Sequence, residues 1–362
     1  MEGADTDRLL DATMALVPPL LTALDALGHA GRHLHPPTIA QVAEAVASHR
    51  QSLADGLAIF KATDWPDHLQ RLVGHCEQAS GFALQAFDGL QNAASLSNPI
   101  MAAYRAMGHT TRAVEALYPV SAMLPPVSRY FTHEAYRDDE ALAAKFANVN
   151  PAREEVGVMH ANNGPDDRGG FSLYVPEYYD GEAMPLVVAL HGGSGHGRSF
   201  LWTWLRDART RGAIVVSPSS QEGTWSLMGP DVDSANLDAI IEHVKQHWNV
   251  DAERVLLTGM SDGATFSYVC GLRDATAYTH LAPCSASFHP MLLEIVSGDR
   301  LRDLPIYLMH GALDWMFPID MARTARDAFT AAGAAVEFRE IDDLSHAYPR
   351  EENDRILDWL FN

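Results

Sequence analysis

The segment Gly259-Met260-Ser261-Asp262-Gly263 has the clearest chemical content in this sequence. It follows the apolar run Val255-Leu256-Leu257-Thr258 and leads into a stretch with helical spacing. A serine between glycines on a sharp strand-to-helix turn presents its hydroxyl above the end of a sheet, and the glycines leave room for the close turn. A serine hydroxyl is a poor nucleophile near neutral pH. It needs a base within hydrogen-bond reach, itself held by a third group. Downstream, the apolar residues 305–309 run into His310-Gly311-Ala312-Leu313-Asp314, and residues 336–341 run into Asp342-Asp343-Leu344-Ser345-His346. The chain order serine, acid, histidine fits a serine presented on such a turn. Ser261 is therefore predicted as nucleophile, His346 as general base and Asp314 as the acid that orients it. Asp342 and Asp343 are alternative acids, but their nearness to His346 in sequence favours a solvated turn. His310 is expected to support the turn that carries Asp314.

Attack by a serine on a carbonyl needs donors aimed at the developing oxyanion. Leu186-Val187-Val188-Ala189-Leu190 is an apolar strand running into His191-Gly192-Gly193-Ser194-Gly195. The Gly193 N–H is predicted to join the Asp262 N–H as an oxyanion donor, with Gly192 lining the same space. A phosphate-binding loop is the alternative. No lysine follows at P-loop spacing, and the dinucleotide pattern G-x-G-x-x-G is not met. No cluster of His, Cys or acidic residues has metal-ligand spacing. His29, His33 and His35 read as loop residues, and neither a metal nor another cofactor is expected.

The elements that must position these groups change character along the chain. Residues 1–150 carry apolar positions at helical spacing with only Pro and Gly clusters as punctuation, which predicts an all-helical domain of four or five helices. Asp5 or Thr6 can cap the first, Thr38 or Pro37 can begin the second, Trp65-Pro66-Asp67 marks the third and Pro99 opens the fourth. Pro125-Pro126 is expected to close the fourth, and a short helix spans about 138–146. From about residue 151 short β-branched runs alternate with helices, the pattern of an α/β domain with a mostly parallel central sheet. Strands are predicted over 155–160, 171–175, 186–190, 214–217, 255–258, 280–285, 306–309 and 336–341, the first two as an antiparallel pair at the edge. The stretch between Ser261 and Asp314 is too short for a cap domain. The helical domain is thus expected either to cover the active-site edge or to mediate self-association.

The matching residues reach beyond the serine turn. Residues 155–362 resemble the α/β-hydrolase serine esterases, specifically the phospholipase/carboxylesterase group and the related polyhydroxybutyrate-depolymerase and feruloyl-esterase-like proteins. The resemblance rests on Leu190-His191-Gly192-Gly193, on Asn249-Val250-Asp251-Ala252-Glu253-Arg254-Val255 leading into the serine turn, on His310-Gly311-Ala312-Leu313-Asp314 and on Ser345-His346. It implies an α/β-hydrolase fold that cleaves carboxylic esters through an acyl-enzyme. Two features depart from the pattern: the helical region precedes the usual small catalytic unit, and Asp262 stands where several relatives carry another polar residue. A peptidase or carbon–carbon hydrolase could use the same three residues, and a binding protein could retain the fold without catalysis.

Bulk properties bound the partners. With 26 Lys plus Arg against 47 Asp plus Glu the formal charge is −21, which repels nucleic acid and anionic lipid. No nucleic-acid partner is expected, and a small-molecule ester is the expected substrate. The acidic start Met1-Glu2-Gly3-Ala4-Asp5 is unlike a secretory signal, and Pro18-Pro19 is expected to interrupt the apolar stretch that follows, so no membrane span and a cytoplasmic location are expected. Cys76, Cys270 and Cys284 are too dispersed for a disulfide framework and read as small core residues. Trp225, Met228, His289, Trp315, Met316 and Phe317 fall on loops near the predicted triad and are candidate pocket walls, although core packing explains each about as well. Arg198 could meet an anionic substrate group or simply lie on an exposed helix face.

Overall fold

The computed structural model describes residues 2–150 and 152–362. The chain divides into two compact units, Met1–Thr132 and His133–Asn362.

The first unit is helical throughout: α1 (Glu2–Arg32), α2 (Ile39–Lys61), α3 (Gln70–Ala93), α4 (Pro99–Leu117) and the short α5 (Pro125–Tyr130). Each long helix packs on the next. Leu16, Leu20, Leu24 and Leu27 form the buried stripe of α1, spaced by three and four as a helix buried along one face requires. Between α3 and α4 the seam is alanine-rich: Ala79, Ala83 and Ala86 of α3 and Ala103, Ala106 and Ala113 of α4 are buried, and a Cβ on Gly89 would lie 2.8 Å from that of Ala106. Pro18 and Pro19 do not interrupt α1, contrary to the sequence expectation. Pro19 cannot bond the carbonyl of Ala15, four residues back. That oxygen instead faces Gly56 of α2, where a Cβ would lie only 2.2 Å from it. The continuous helix over Thr6–Arg32 is long and apolar enough, by length and composition only, to cross a membrane, a test that the core helix of a soluble protein also passes. Thr6 lies inside α1, which begins at Glu2, and so does not cap it, while the Asp5 side chain lies outside the described residues; Pro125-Pro126 open α5 rather than close α4. Proline is well placed there, because the first turn lacks intrahelical acceptors for its N–H groups.

The second unit begins with α6 (Glu140–Ala147), capped by the Asp139 side chain. Its Phe146 ring lies 3.6 Å beneath the Arg209 guanidinium and 5.7 Å from Tyr178. The sequence places the domain boundary near 150, after α6; these contacts make α6 part of the second unit. Eight strands follow: β1 (Gly157–Ala161), β2 (Phe171–Val175), β3 (Met184–Leu190), β4 (Ile214–Pro218), β5 (Val250–Met260), β6 (His280–Cys284), β7 (Pro305–Gly311) and β8 (Ala335–Ile341). Their order in the sheet is β1-β2-β4-β3-β5-β6-β7-β8. β3 to β8 run parallel, and β1 and β2 form the antiparallel edge. The central strands β3, β4 and β5 carry runs of Val, Leu and Ile that are buried on both faces, as a sheet covered on both sides demands. The connecting helices are α7 (Gly197–Phe200), α8 (Leu205–Arg211), α9 (Asp233–His247), α10 (Asp262–Gly271), α11 (Gly298–Leu301), α12 (Ile319–Ala331) and the terminal α13 (Asn353–Phe361). All three cysteines are buried, and none is in a disulfide. The parallel strands end together along one rim, where open α/β sheets bind ligands.

Candidate active site

Ser261 sits between the end of β5 and the start of α10 with φ 55° and ψ −117°. A positive φ costs a side-chain-bearing residue on the order of 1–3 kcal/mol, so neighbours must enforce it. The Ser261 N–H donates to the Cys284 carbonyl at 2.9 Å, tying the turn to the end of β6. The Ser261 carbonyl accepts from the N–H and hydroxyl of Thr265, at 2.8 and 3.1 Å. The two flanking glycines are forced by space. A Cβ on Gly263 would lie 2.4 Å from the His191 carbonyl oxygen, and one on Gly259 would lie 2.6 Å from the Gly263 carbonyl carbon.

Asp314 follows β7. Its Oδ1 accepts from the N–H groups of Met316 and Phe317, both at 2.9 Å, and its Oδ2 accepts from His346 Nδ1 at 2.9 Å. The Ser285 hydroxyl also favours the ionised form of this carboxylate. Burial opposes ionisation of Asp314, but His346, Phe317 and Ser285 together outweigh it and hold the carboxyl below the usual carboxylate range. His346, after β8, completes the chain with Nε2 at 3.1 Å from Ser261 Oγ. The loops carrying Asp314 and His346 are fastened together by Ala312 N–H to the Ile341 carbonyl and Leu313 N–H to the Leu344 carbonyl, each 2.9 Å. Thus the structure brings Ser261, His346 and Asp314 into one hydrogen-bonded line. Asp342 and Asp343 are exposed, and the His346 nitrogen they might have held faces Asp314 instead.

His310 is fully buried, and its Nε2 donates to the Phe317 carbonyl at 2.8 Å. Desolvation lowers its pKa and keeps the ring neutral beside Asp314. It supports the turn, as the sequence suggests. Ser285 was not singled out in the sequence; only its place at the end of β6, on the ligand rim, could have signalled it.

On the other side of Ser261, β3 leads into the glycine loop. A Cβ on Gly192 would lie 3.6 Å from Ser261 Cβ, so this glycine abuts the serine. Gly193 is exposed beside it, and the loop closes through Gly195 N–H to the Gly192 carbonyl at 2.9 Å. The Asp262 N–H belongs to the first turn of α10, where an α-helix has no internal acceptor. His191 is buried, and burial pushes its imidazole down to about 4. Its Nε2 accepts from the Ser220 N–H at 3.1 Å, which leaves the proton on Nδ1 to donate to the Gly192 carbonyl at 2.7 Å.

The predicted pocket walls separate into two groups. Trp315 is 38% exposed and lies 6.3 Å from the His346 ring, and the Phe317 ring lies 5.6 Å from it, both edge-on. Met316 is exposed beside them. Trp225 is not a wall: it is 2% exposed, and its indole N–H donates to the His191 carbonyl at 2.7 Å. A fully packed ring with its polar atom already bonded has no face left for a ligand. His289 is exposed, and its Nδ1 accepts from the Met291 N–H to cap the short 3-10 helix Pro290–Ile295. Met228, 93% exposed, lies on the loop between β4 and α9. Arg198 is half-buried and donates to the Asn163 carbonyl at 3.3 Å, a structural role on an element near the edge hairpin. His29 is in α1 rather than a loop; its ring lies 4.1 Å from that of His33.

Residues 231–361 match the phospholipase/carboxylesterase family. The chain is 28% identical over 179 residues to the bifunctional acetylxylan esterase/xylanase XynS20E of Neocallimastix patriciarum, a match covering 47% of this chain and 24% of that protein. It is 31% identical over 160 residues to a probable feruloyl esterase C of Aspergillus terreus, covering 41% of this chain and 56% of that one. The chain thus spans about half the length of the latter relative and a quarter of the former. Among solved structures, a thermostable esterase aligns with a TM-score of 0.45 at 19% identity, covering 56% of this chain and 62% of that one. By its sheet the second unit has the α/β-hydrolase fold, and its residues 231–361 match the phospholipase/carboxylesterase family.

Proposed function

We propose that this chain hydrolyses carboxylic esters through an acyl-enzyme on Ser261. The single observation that carries the reading is the continuous line from Ser261 Oγ to His346 Nε2, 3.1 Å, and from His346 Nδ1 to Asp314 Oδ2, 2.9 Å. His346 Nε2 accepts the hydroxyl proton as Oγ bonds to the ester carbon, and the carbonyl π pair moves to oxygen. The backbone N–H groups of Gly193 and Asp262 donate to that oxyanion, where charge develops. Collapse expels the alcohol oxygen, which takes the proton from Nε2. Water then repeats the sequence on the acyl-enzyme and releases the acid. Asp314, anionic across the working range, fixes the tautomer that leaves Nε2 free to accept and stabilises the imidazolium that forms.

The matches to an acetylxylan esterase and a feruloyl esterase support the ester as the scissile group. The exposed Trp315 and Met316 beside His346 support an apolar or aromatic substituent near the scissile bond. The test is parallel turnover of p-nitrophenyl esters, matched amides and a diketone by the wild type and Ser261→Ala. Ester hydrolysis that falls about a million-fold in the variant is expected for a triad acting as a unit. Amide or diketone turnover exceeding that of esters would instead favour a peptidase or a carbon–carbon hydrolase.

A further inference from the structure

The two proposed oxyanion donors belong to segments far apart in sequence, the Gly192–Gly193 loop after β3 and the first turn of α10. Backbone donors cannot be re-aimed by a rotamer change, so their spacing must be set by whatever braces the two segments. The glycine loop has little stiffness of its own.

We propose that Thr224 and Trp225, on the loop between β4 and α9, are positioning residues that hold both halves of the oxyanion hole in register. This inference rests on the ester-hydrolase reading above. The Trp225 indole N–H donates to the His191 carbonyl at 2.7 Å, and its ring lies 4.9 Å from the His191 ring. It also stacks on Phe266 of α10, with centroids 5.4 Å apart and planes 14° apart. One side chain thus touches the glycine-loop segment and the helix that begins with Asp262. Next to it, the Thr224 hydroxyl donates to Asp262 Oδ2 at 2.6 Å. The same carboxylate oxygen stands where a Cβ on Gly193 would be 2.6 Å away, so Thr224 holds Asp262 against the Gly193 backbone. A third tie runs from the Ser194 N–H to the Gly223 carbonyl, 3.0 Å.

The brace is itself anchored. Asp233, buried at the start of α9, accepts from the Gln221 N–H at 2.8 Å, the Ser226 N–H at 2.8 Å and the Ser226 hydroxyl at 2.7 Å. Both ends of the 221–226 segment are therefore pinned to one carboxylate, and Gly223, Thr224 and Trp225 lie between the pins. This assigns work to the Asp262 side chain, the position at which the serine turn departs from its relatives.

The experiment measures kcat, KM and thermal midpoint for p-nitrophenyl acetate in the wild type, Thr224→Val, Thr224→Ser, Trp225→Phe and Ser261→Ala. Thr224→Val keeps the shape and loses the hydroxyl; Trp225→Phe keeps the aromatic stack and loses the N–H. Each is expected to lower kcat about tenfold, with KM changed less than about twofold, because only the oxyanion of the transition state uses the spacing. Thr224→Ser, which retains the donor, is expected to restore kcat. Thr224→Val and Trp225→Phe with wild-type kcat, while Ser261→Ala is inactive, overturn the brace and leave the hydrolase reading intact. A kcat loss that merely follows a fall in thermal midpoint and is not restored by Thr224→Ser also overturns it. Undiminished turnover in Ser261→Ala removes the hydrolase reading, and the brace with it.

Discussion

Replacing Asp314 with Asn tests the geometry more sharply than deleting it, because the surroundings dictate which way the amide must face. Oδ1 of Asp314 accepts two backbone N–H groups, from Met316 and Phe317, both at 2.9 Å. An Asn NH2 there would confront two donors, so the amide oxygen must keep that place and the NH2 must take the Oδ2 position. That position is 2.9 Å from His346 Nδ1. The ring then has to accept at Nδ1 and carry its proton on Nε2, which faces Ser261 Oγ at 3.1 Å. In this tautomer the imidazole donates towards the hydroxyl and cannot take its proton. A loss of about 10⁴ in kcat is expected, as for a tautomer trapped in this way; at 1.36 kcal/mol per tenfold that is about 5 kcal/mol of transition-state stabilisation. KM and thermal midpoint should change little, since shape and most hydrogen bonds survive. The assay is steady-state ester hydrolysis near neutral pH, with Ser261→Ala as the floor and Asp342→Asn as the control on an exposed neighbour. Retention of more than a tenth of wild-type kcat by Asp314→Asn, or an equal loss in Asp342→Asn, would refute the assignment of the acid.

Other outcomes follow from the same contacts. Ser285→Ala removes a hydroxyl that favours the ionised Asp314 carboxyl and is expected to lower kcat about three- to tenfold, within the range of a typical net hydrogen bond; unchanged kcat and kcat/KM across the acid limb of the pH profile would count against it. His191 has its folded pKa depressed to about 4 by burial, so below pH 6.5 the unfolded chain binds a proton that the folded chain refuses. Stability associated with this ring is therefore full above pH 6.5 and declines as pH falls towards 4, by on the order of 2–3 kcal/mol at pH 4.5. Urea midpoints at pH 7 and 4.5 check this: His191→Gln should show a smaller drop between the two than the wild type, and an equal drop would show that the ring is not the group responsible.

Much of the candidate site was legible because its geometry constrains its sequence. Ser261 needs glycines on both sides for a steric reason that the structure measures, a missing Cβ within 2.4 Å of the His191 carbonyl oxygen, so the motif survives in any chain that makes this turn. Strands buried on both faces must be continuously apolar, and β3, β4 and the second half of β5 therefore stand out against the helices between them, whereas β8 alternates and is at most half-buried. What could not be read was how polar atoms find partners across the fold. Trp225 looked like a pocket wall because aromatic residues on loops near a site usually are; nothing local signals that its N–H would be consumed by the His191 carbonyl. Ser285 is an ordinary serine until the sheet brings β6 next to β7. In the helical unit the error ran the other way. Pro18-Pro19 carries a strong local breaking signal, and tertiary packing overrode it by placing Gly56 of α2 against the carbonyl that Pro19 leaves free.

Intact-protein and peptide mass spectrometry after rapid quenching of p-nitrophenyl acetate turnover addresses the acyl-enzyme itself. The wild type should carry a single added acetyl group that maps to Ser261 and disappears on further incubation, and Ser261→Ala should carry none. Steady release of acetate with Ser261 unmodified at every time, or an acetyl group that maps to another residue and turns over, would contradict the account.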